Sequence, residues 1–205
     1  MLNKGYLIAI EGIDGSGKTT IANRIVEWLS MRNIDALYTS EPTKSPIGLF
    51  IKEKIISAEI RQDARIEALL FAADRLWHVV NEILPALSRG VVVVTDRYYF
   101  SSIAYQGALG APTSWIREIN KFAPKPDLSI YIDITPEEAI RRKRKQGDVK
   151  KLFENIKYLS KVREIYLDLV GNGELALING MNILEKVVDE ALALVRKLLF
   201  PRGSS

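Results

Sequence analysis

Tyr6-Leu7-Ile8-Ala9-Ile10-Glu11-Gly12-Ile13-Asp14-Gly15-Ser16-Gly17-Lys18-Thr19-Thr20 is the stretch that decides the fold. Its apolar opening is too short for a buried helix and feeds a glycine-rich turn. The turn leads into Ile21, Ile25, Val26 and Leu29 at helical spacing, so the order is strand, loop, helix. Gly12 and Gly17 bracket four residues and Lys18-Thr19 follow. Backbone N–H groups of such a loop can wrap a phosphate, and the helix start adds its partial positive charge. The lysine then reaches the β- and γ-phosphates of a nucleotide and the threonine hydroxyl holds Mg²⁺. Gly12, Ile13, Asp14, Gly15, Ser16, Gly17, Lys18, Thr19 and Thr20 are therefore the candidate ATP ligands. A glycine-rich turn followed by a chance lysine is the plainer alternative, and the flanking strand and helix argue against it.

The bulk numbers narrow the class. The chain has 205 residues, 47% of them hydrophobic, which suits one domain over residues 1–200, and 201–205 read as a frayed or added tail. With 29 Lys+Arg against 25 Asp+Glu the net charge is +4, pointing toward anionic ligands without requiring nucleic acid. No cysteine is present, which excludes disulfides, thiolate catalysis and cysteine metal sites. The lone His78 excludes a multi-histidine centre and falls in an apolar helical stretch, where a structural role is expected. The start lacks a basic leader and no apolar run approaches about eighteen residues, so a cytoplasmic protein without a membrane span is expected.

Outward from the loop, strands and helices alternate. Strands are expected at 36–39, 91–95, 128–133 and 175–178, and helices over 47–57, 63–87, 115–122, 152–170 and 183–199. A further helix runs to Gly107, and another starts at Pro136 behind Thr135, with Glu137 and Glu138 in its first turn. Pro85 is expected to kink the end of the long helix. The apolar stripe of that helix, including Leu69, Ala73, Trp77 and Val80, suits either a core or an interface. The alternation gives an α/β fold of three layers around a five-stranded parallel sheet. In such sheets ligands sit at the carboxyl ends of the strands. That edge receives Glu41-Pro42 after the second strand and Asp96-Arg97 after the third, Asp96 being a second candidate for the metal, directly or through water. The densest charge is Arg141-Arg142-Lys143-Arg144-Lys145, followed after Gly147 by Lys150-Lys151. Alone it reads as a solvated helix face; beside a phosphate loop it reads as a phosphate-directed segment.

A phosphate loop by itself leaves GTPases, motor ATPases and small-molecule kinases open. A guanine-reading Asn-Lys-x-Asp is missing, and the third strand ends in Asp-Arg instead of the Asp-Glu usual for water activation. At Asp96-Arg97-Tyr98-Tyr99-Phe100-Ser101-Ser102-Ile103-Ala104-Tyr105-Gln106-Gly107 the chain resembles the thymidylate kinases. Asp14 in the loop, Glu41-Pro42, Leu70 to Arg75, Asp133 to Glu137 and Val162 to Leu167 extend the likeness over nearly the whole chain. The resemblance implies a nucleoside monophosphate kinase-like fold with a short lid at about 141–153. It also implies transfer of the γ-phosphoryl of ATP to dTMP, with Mg²⁺, in dTTP biosynthesis, by a homodimer.

By resemblance Lys18, Asp96, Arg97, Arg142, Arg144 and Lys145 carry the chemistry, the last three on the lid. Arg97 holds the dTMP phosphate, with Lys44 near it. Asp14 takes the sugar 3′-hydroxyl, and Tyr105 crowds the 2′ position. Phe71 lies against thymine and Arg75 reaches a base carbonyl, while Ser101, Ser102, Gln106, Glu41 and Pro42 border the pocket. Phe71 taken alone also reads as a core aromatic, and Tyr98 and Tyr99 as packing residues. Two departures from the family stand out. Ser40 replaces its frequent arginine ahead of Glu-Pro, and Gly15 stands where some members carry a loop arginine, which leaves the lid to supply the catalytic cations. Two rivals remain: another monophosphate or deoxynucleoside kinase on the same scaffold, and a nucleotide-dependent switch.

Overall fold

The computed structural model describes residues 4–56, 63–143 and 149–201. Five strands, β1 (Tyr6–Glu11), β2 (Ala36–Ser40), β3 (Val92–Asp96), β4 (Leu128–Asp133) and β5 (Ala176–Asn179), form one sheet in the order β2-β3-β1-β4-β5. All pairs are parallel, with Ile10 beside Asp96 and Ile130, and Ser40 beside Asp96. The register therefore brings the ends of β1, β2 and β3 to one edge, each delivering a polar residue there.

Alternation along the strands builds the layers. Ile8, Ile10, Val92, Val94, Ile130 and Ile132 face α1 (Lys18–Ser30) and the closing helix α9 (Leu184–Leu199). Leu7, Ala9, Val93 and Tyr131 face the other layer. That layer is made by α3 (Ala64–His78), α4 (Leu84–Ser88), α5 (Tyr99–Ala108), α6 (Thr113–Ile119) and α8 (Val149–Gly171). The expected three-layer, five-stranded α/β fold is present. Between β2 and α3 lies α2 (Pro46–Phe50), capped by the Ser45 hydroxyl accepting from the Gly48 N–H at 3.0 Å and continued by a π-helical stretch, Ile51–Ile56. After β4, α7 (Pro136–Lys143) starts with the Thr135 hydroxyl accepting from Glu138 N–H.

Two features of the long helix differ from a simple reading. The break expected at Pro85 takes the form of a π-helical stretch, Val79–Ile83, between α3 and α4, because proline supplies no N–H to the turn behind it. The apolar stripe is also turned outward. Ile66, Leu69, Ala73, Leu76, Val80 and Leu84 are exposed, while the covered face of α3 carries Glu67, Asp74, Arg75 and His78 beside Ala68 and Ala72. Polar side chains on a covered face must be paired: Asp74, Arg75 and His78 meet partners near the ends of β2 and β3, and Glu67 meets Gln106 on α5.

Candidate active site

The phosphate loop is shaped by glycine backbone. Gly12, Gly15 and Gly17 have φ of 149°, 89° and 92°, the left-handed side that other residues rarely adopt. A side chain at Gly12 would meet the carbonyl of Ile132 at 2.7 Å, and one at Gly15 the carbonyl of Ala139 at 2.9 Å. The second contact gives a steric reason why the chain has no arginine here: α7 packs onto the loop. Gly17 caps α1 without any side-chain bond, which leaves the first N–H groups of the helix to a ligand. Ile13 itself is buried, so its contribution is its carbonyl, which accepts from Ser16 N–H at 3.1 Å and from the Lys18 ammonium at 3.0 Å. Burial, and after it repulsion from the like charge of Arg97, lowers the Lys18 pKa to about 7 against the opposing pull of Asp96, Asp14 and Glu11. A triphosphate would reverse that shift. Thr20, one residue past the motif, is exposed on α1.

At the end of β3 the Asp96 carboxylate takes a short hydrogen bond from the Thr19 hydroxyl, and its other oxygen is buried with no partner. A single carboxylate, one hydroxyl and an orphaned oxygen fit Mg²⁺, which uses few protein ligands and takes the rest from phosphates and water. No group of three or more His, Cys, Asp or Glu that could hold a metal exists among the described residues.

Arg97 has φ of 75°, unusual for a residue with a side chain, and its N–H donates to the Ile10 carbonyl at 2.9 Å. Its guanidinium pairs with Asp14 and donates to Ser101 Oγ at 3.0 Å, the Gly12 carbonyl at 3.3 Å and the Tyr105 hydroxyl at 3.3 Å. The Tyr105 hydroxyl also accepts from Asp14 N–H at 3.1 Å. Arg97, Asp14, Ser101 and Tyr105 thus form one hydrogen-bonded cluster.

The other wall is held by α3. Glu41 is buried and takes Arg75 Nε at 2.8 Å and His78 Nδ1 at 3.1 Å. Arg75 further donates to Asn120 Oδ1 at 2.6 Å and to the Tyr98 carbonyl and Ser102 Oγ, each at 3.2 Å. Arg75 is fully buried and does not line the cleft described below. Asp74 accepts from Thr43 N–H at 2.7 Å, Thr43 Oγ1 at 2.6 Å and Ser45 Oγ at 2.7 Å. Phe71 is half-buried one turn from both Glu67 and Arg75. Those two residues meet Gln106 (3.5 Å) and Ser102 on α5, so Phe71 lies between two polar pairs that bridge α3 and α5.

A cleft of about 340 Å³ joins the two sides, lined by Asp14, Gly15, Lys18, Thr19, Tyr38, Ser40, Glu41, Pro42, Lys52, Asp96 and Arg97. Lys44 is exposed and does not line it. Lys52 does, from the π-helical stretch after α2, with its ammonium on the Thr43 carbonyl at 3.0 Å. Sequence reasoning gave no role to Lys52, Asp74 or Glu11, although Asp74 and Glu11 lie within stretches quoted above. Arg142 is on α7, where it donates to Glu138 at 2.6 Å, to the Gly180 carbonyl at 3.0 Å and to the Gly15 carbonyl at 3.4 Å. It therefore ties α7 to the phosphate loop and to the turn after β5. Arg144 and Lys145, with the rest of residues 144–148, lie outside the described residues, and the remainder of the segment read as a lid is the end of α7 and the start of α8.

Two anions can be held in one cleft here, with an orphaned carboxylate oxygen between them. That is the requirement of a P-loop kinase whose acceptor already carries a phosphate. A family model described as thymidylate kinase matches residues 10–191. The chain is 43% identical over 198 residues to a probable thymidylate kinase of Pyrococcus abyssi, covering 94% of this chain and 97% of the relative. It is likewise 43% identical over 185 residues to one from Staphylothermus marinus (90% and 92% covered), and 46% identical over 160 residues to one from Pyrobaculum calidifontis (78% and 80% covered). The chain belongs to the thymidylate kinase family.

Proposed function

We infer that the chain transfers the γ-phosphoryl group of ATP to the phosphate of dTMP, giving dTDP and ADP on the route to dTTP. An acceptor phosphate oxygen attacks the γ-phosphorus, the bond to the β,γ-bridging oxygen breaks, and ADP leaves with that electron pair. The attacking oxygen is already largely ionised at neutral pH, so the protein's task is to position anions and neutralise their repulsion. The loop from Gly12 to Thr20 holds the donor, with Lys18 on its β- and γ-phosphates. Arg97 holds the acceptor phosphate, and Lys52 adds a second cation on that wall. Asp14 meets the sugar 3′-hydroxyl and Tyr105 fills the space a 2′-hydroxyl would need. The base enters between α3 and α5 against Phe71, with Arg75 on its carbonyl and Gln106 and Ser102 at the rim. Arg142, Arg144 and Lys145 supply charge from the lid side, where arginine can contact phosphate oxygens bidentately. Thr19 and Asp96 would hold Mg²⁺, which when bound neutralises charge on the phosphates.

The observation that carries this reading is the single cleft in which Lys18 and Thr19 of the donor loop share walls with Arg97 and Glu41. The test is ADP release from ATP and Mg²⁺ with dTMP, dUMP, UMP, dCMP, dAMP, dGMP and thymidine offered separately, beside an acceptor-free control. Strong stimulation by dTMP, less by dUMP and little by UMP is expected. If another monophosphate wins, the base assignment fails; equal release without acceptor removes the kinase reading.

The homodimer is proposed on the outward apolar face of Ile66, Leu69, Ala73, Leu76, Val80 and Leu84, a contiguous stripe of the kind that marks an interface. Val80→Glu should shift the mass in light scattering from dimer to monomer. Among the described residues no helix is long and apolar enough to cross a membrane. A cytoplasmic location is proposed because the nucleotide substrates are there.

A further inference from the structure

Glu11 is the last residue of β1, directly ahead of the phosphate loop, and it does not line the cleft. Its side chain is fully buried, and burial pushes its pKa up against the hydrogen bonds it receives. Four donors converge on it: Tyr98 N–H at 2.8 Å and Ser101 N–H at 3.3 Å on one oxygen, Ser101 Oγ at 2.6 Å and the Tyr166 hydroxyl at 2.8 Å on the other. Four donors on two oxygens is the environment of a carboxylate anion.

Three of those donors come from the start of α5. Its N-cap residue, Tyr98, offers no side-chain cap, so the carboxylate of a neighbouring strand performs that role and complements the helix dipole. The residue ahead of Tyr98 is Arg97, in its left-handed conformation. The carbonyl of Ile10 holds the Arg97 N–H and the carboxylate of Glu11 holds the Tyr98 N–H, so consecutive residues of β1 clamp the turn. The side chain is reached as well. Ser101 gives its hydroxyl hydrogen to Glu11 and so turns a lone pair toward Arg97 Nη1, 3.0 Å away.

We propose that Glu11 is a positioning residue for the acceptor phosphate: it fixes the peptide that joins Arg97 to Tyr98, through the Tyr98 N–H, and the Arg97 guanidinium through Ser101. The proposal rests on the reading that Arg97 holds the dTMP phosphate. A role in fold stability alone would affect both substrates and would persist without Arg97.

The experiment is steady-state kinetics of the full chain, with KM for dTMP and for ATP measured in Arg97→Ala, Glu11→Gln and the double variant. Arg97→Ala should raise KM for dTMP on the order of a hundredfold. Glu11→Gln, which keeps the shape but loses the charge, should raise it about tenfold with KM for ATP unchanged. In the Arg97→Ala background Glu11→Gln should add nothing, because its effect passes through the missing guanidinium. If Glu11→Gln does not fold, Ser101→Ala removes the link while keeping the carboxylate. It should raise KM for dTMP about threefold with Arg97 present and not without it. An unchanged KM for dTMP, an equal rise for ATP, or an undiminished effect in the Arg97→Ala background overturns the proposal while leaving the Arg97 reading intact. An unchanged KM for dTMP in Arg97→Ala itself removes both.

Discussion

The phosphate loop and the wall opposite it, across one cleft, are built in opposite ways. The loop is contiguous in sequence and works through backbone. Three glycines in left-handed conformations shape it, its cap is bare N–H, and its one buried cation, Lys18, rests on a main-chain carbonyl. The wall is assembled from side chains far apart in sequence: Glu41 after β2, Asp74, Arg75 and His78 on α3, Asn120 after α6. A loop made of backbone binds what every nucleotide shares, the phosphates. A wall made of side chains can be tuned to one acceptor, at the cost of burying charges that must all be paired.

Lys18→Ala is the severest test of the loop side. It removes the cation assigned to the migrating group, and kcat should fall by about 10³. A large fall in dTMP affinity with kcat preserved would break the division between the two sides. Gly15→Ala comes next: it forces a β-carbon into a φ of 89° and toward the Ala139 carbonyl, which costs about 1–3 kcal/mol. ATP affinity should fall about tenfold in isothermal titration, with dTMP affinity unchanged.

The smallest effect concerns protons. Lys18 in the ligand-free protein titrates near pH 7, whereas an unfolded lysine keeps its proton to about 10.5. Between those values the unfolded chain binds more protons, so the contribution of Lys18 to stability rises with pH across that window. Triphosphate binding should restore the proton. Calorimetry of ATP binding at pH 8 in buffers of different ionisation enthalpy should report uptake of about one proton. No uptake would mean that the lysine stays charged in the empty loop.

The same contrast explains what could be read from the chain beforehand. The loop was legible because glycines, lysine and threonine at fixed spacing between a strand and a helix constrain backbone directly. The strand at 128–133 was legible because apolar residues bounded by prolines leave little choice. On α3 periodicity identified the stripe through Leu69, Ala73 and Val80 but not whether it faced inward, because that depends on what the opposite face can pair with. A structural role was expected for His78, and Asp74 fell within the Leu70 to Arg75 resemblance, but the partners of both, Thr43, Ser45, Thr39 and Glu41, could not be read because they are some thirty or more residues earlier in the chain. Glu11 was hidden in an apolar strand for the same reason. Phe71 and Arg75 were found through family resemblance, with helical spacing supporting only that they share a face.

The most direct test of the two-sided account is Asp74→Asn, assayed for KM toward both substrates in one set of experiments. Asp74 does not line the cleft; it holds the Thr43–Ser45 segment that directly follows Glu41 and Pro42. Loss of charge at a carboxylate accepting three bonds weakens each of them, an effect on the order of 2 kcal/mol in all. KM for dTMP should rise about tenfold while KM for ATP stays at the wild-type value. Equal rises for both would contradict the account, because donor loop and acceptor wall would then be one mechanical unit.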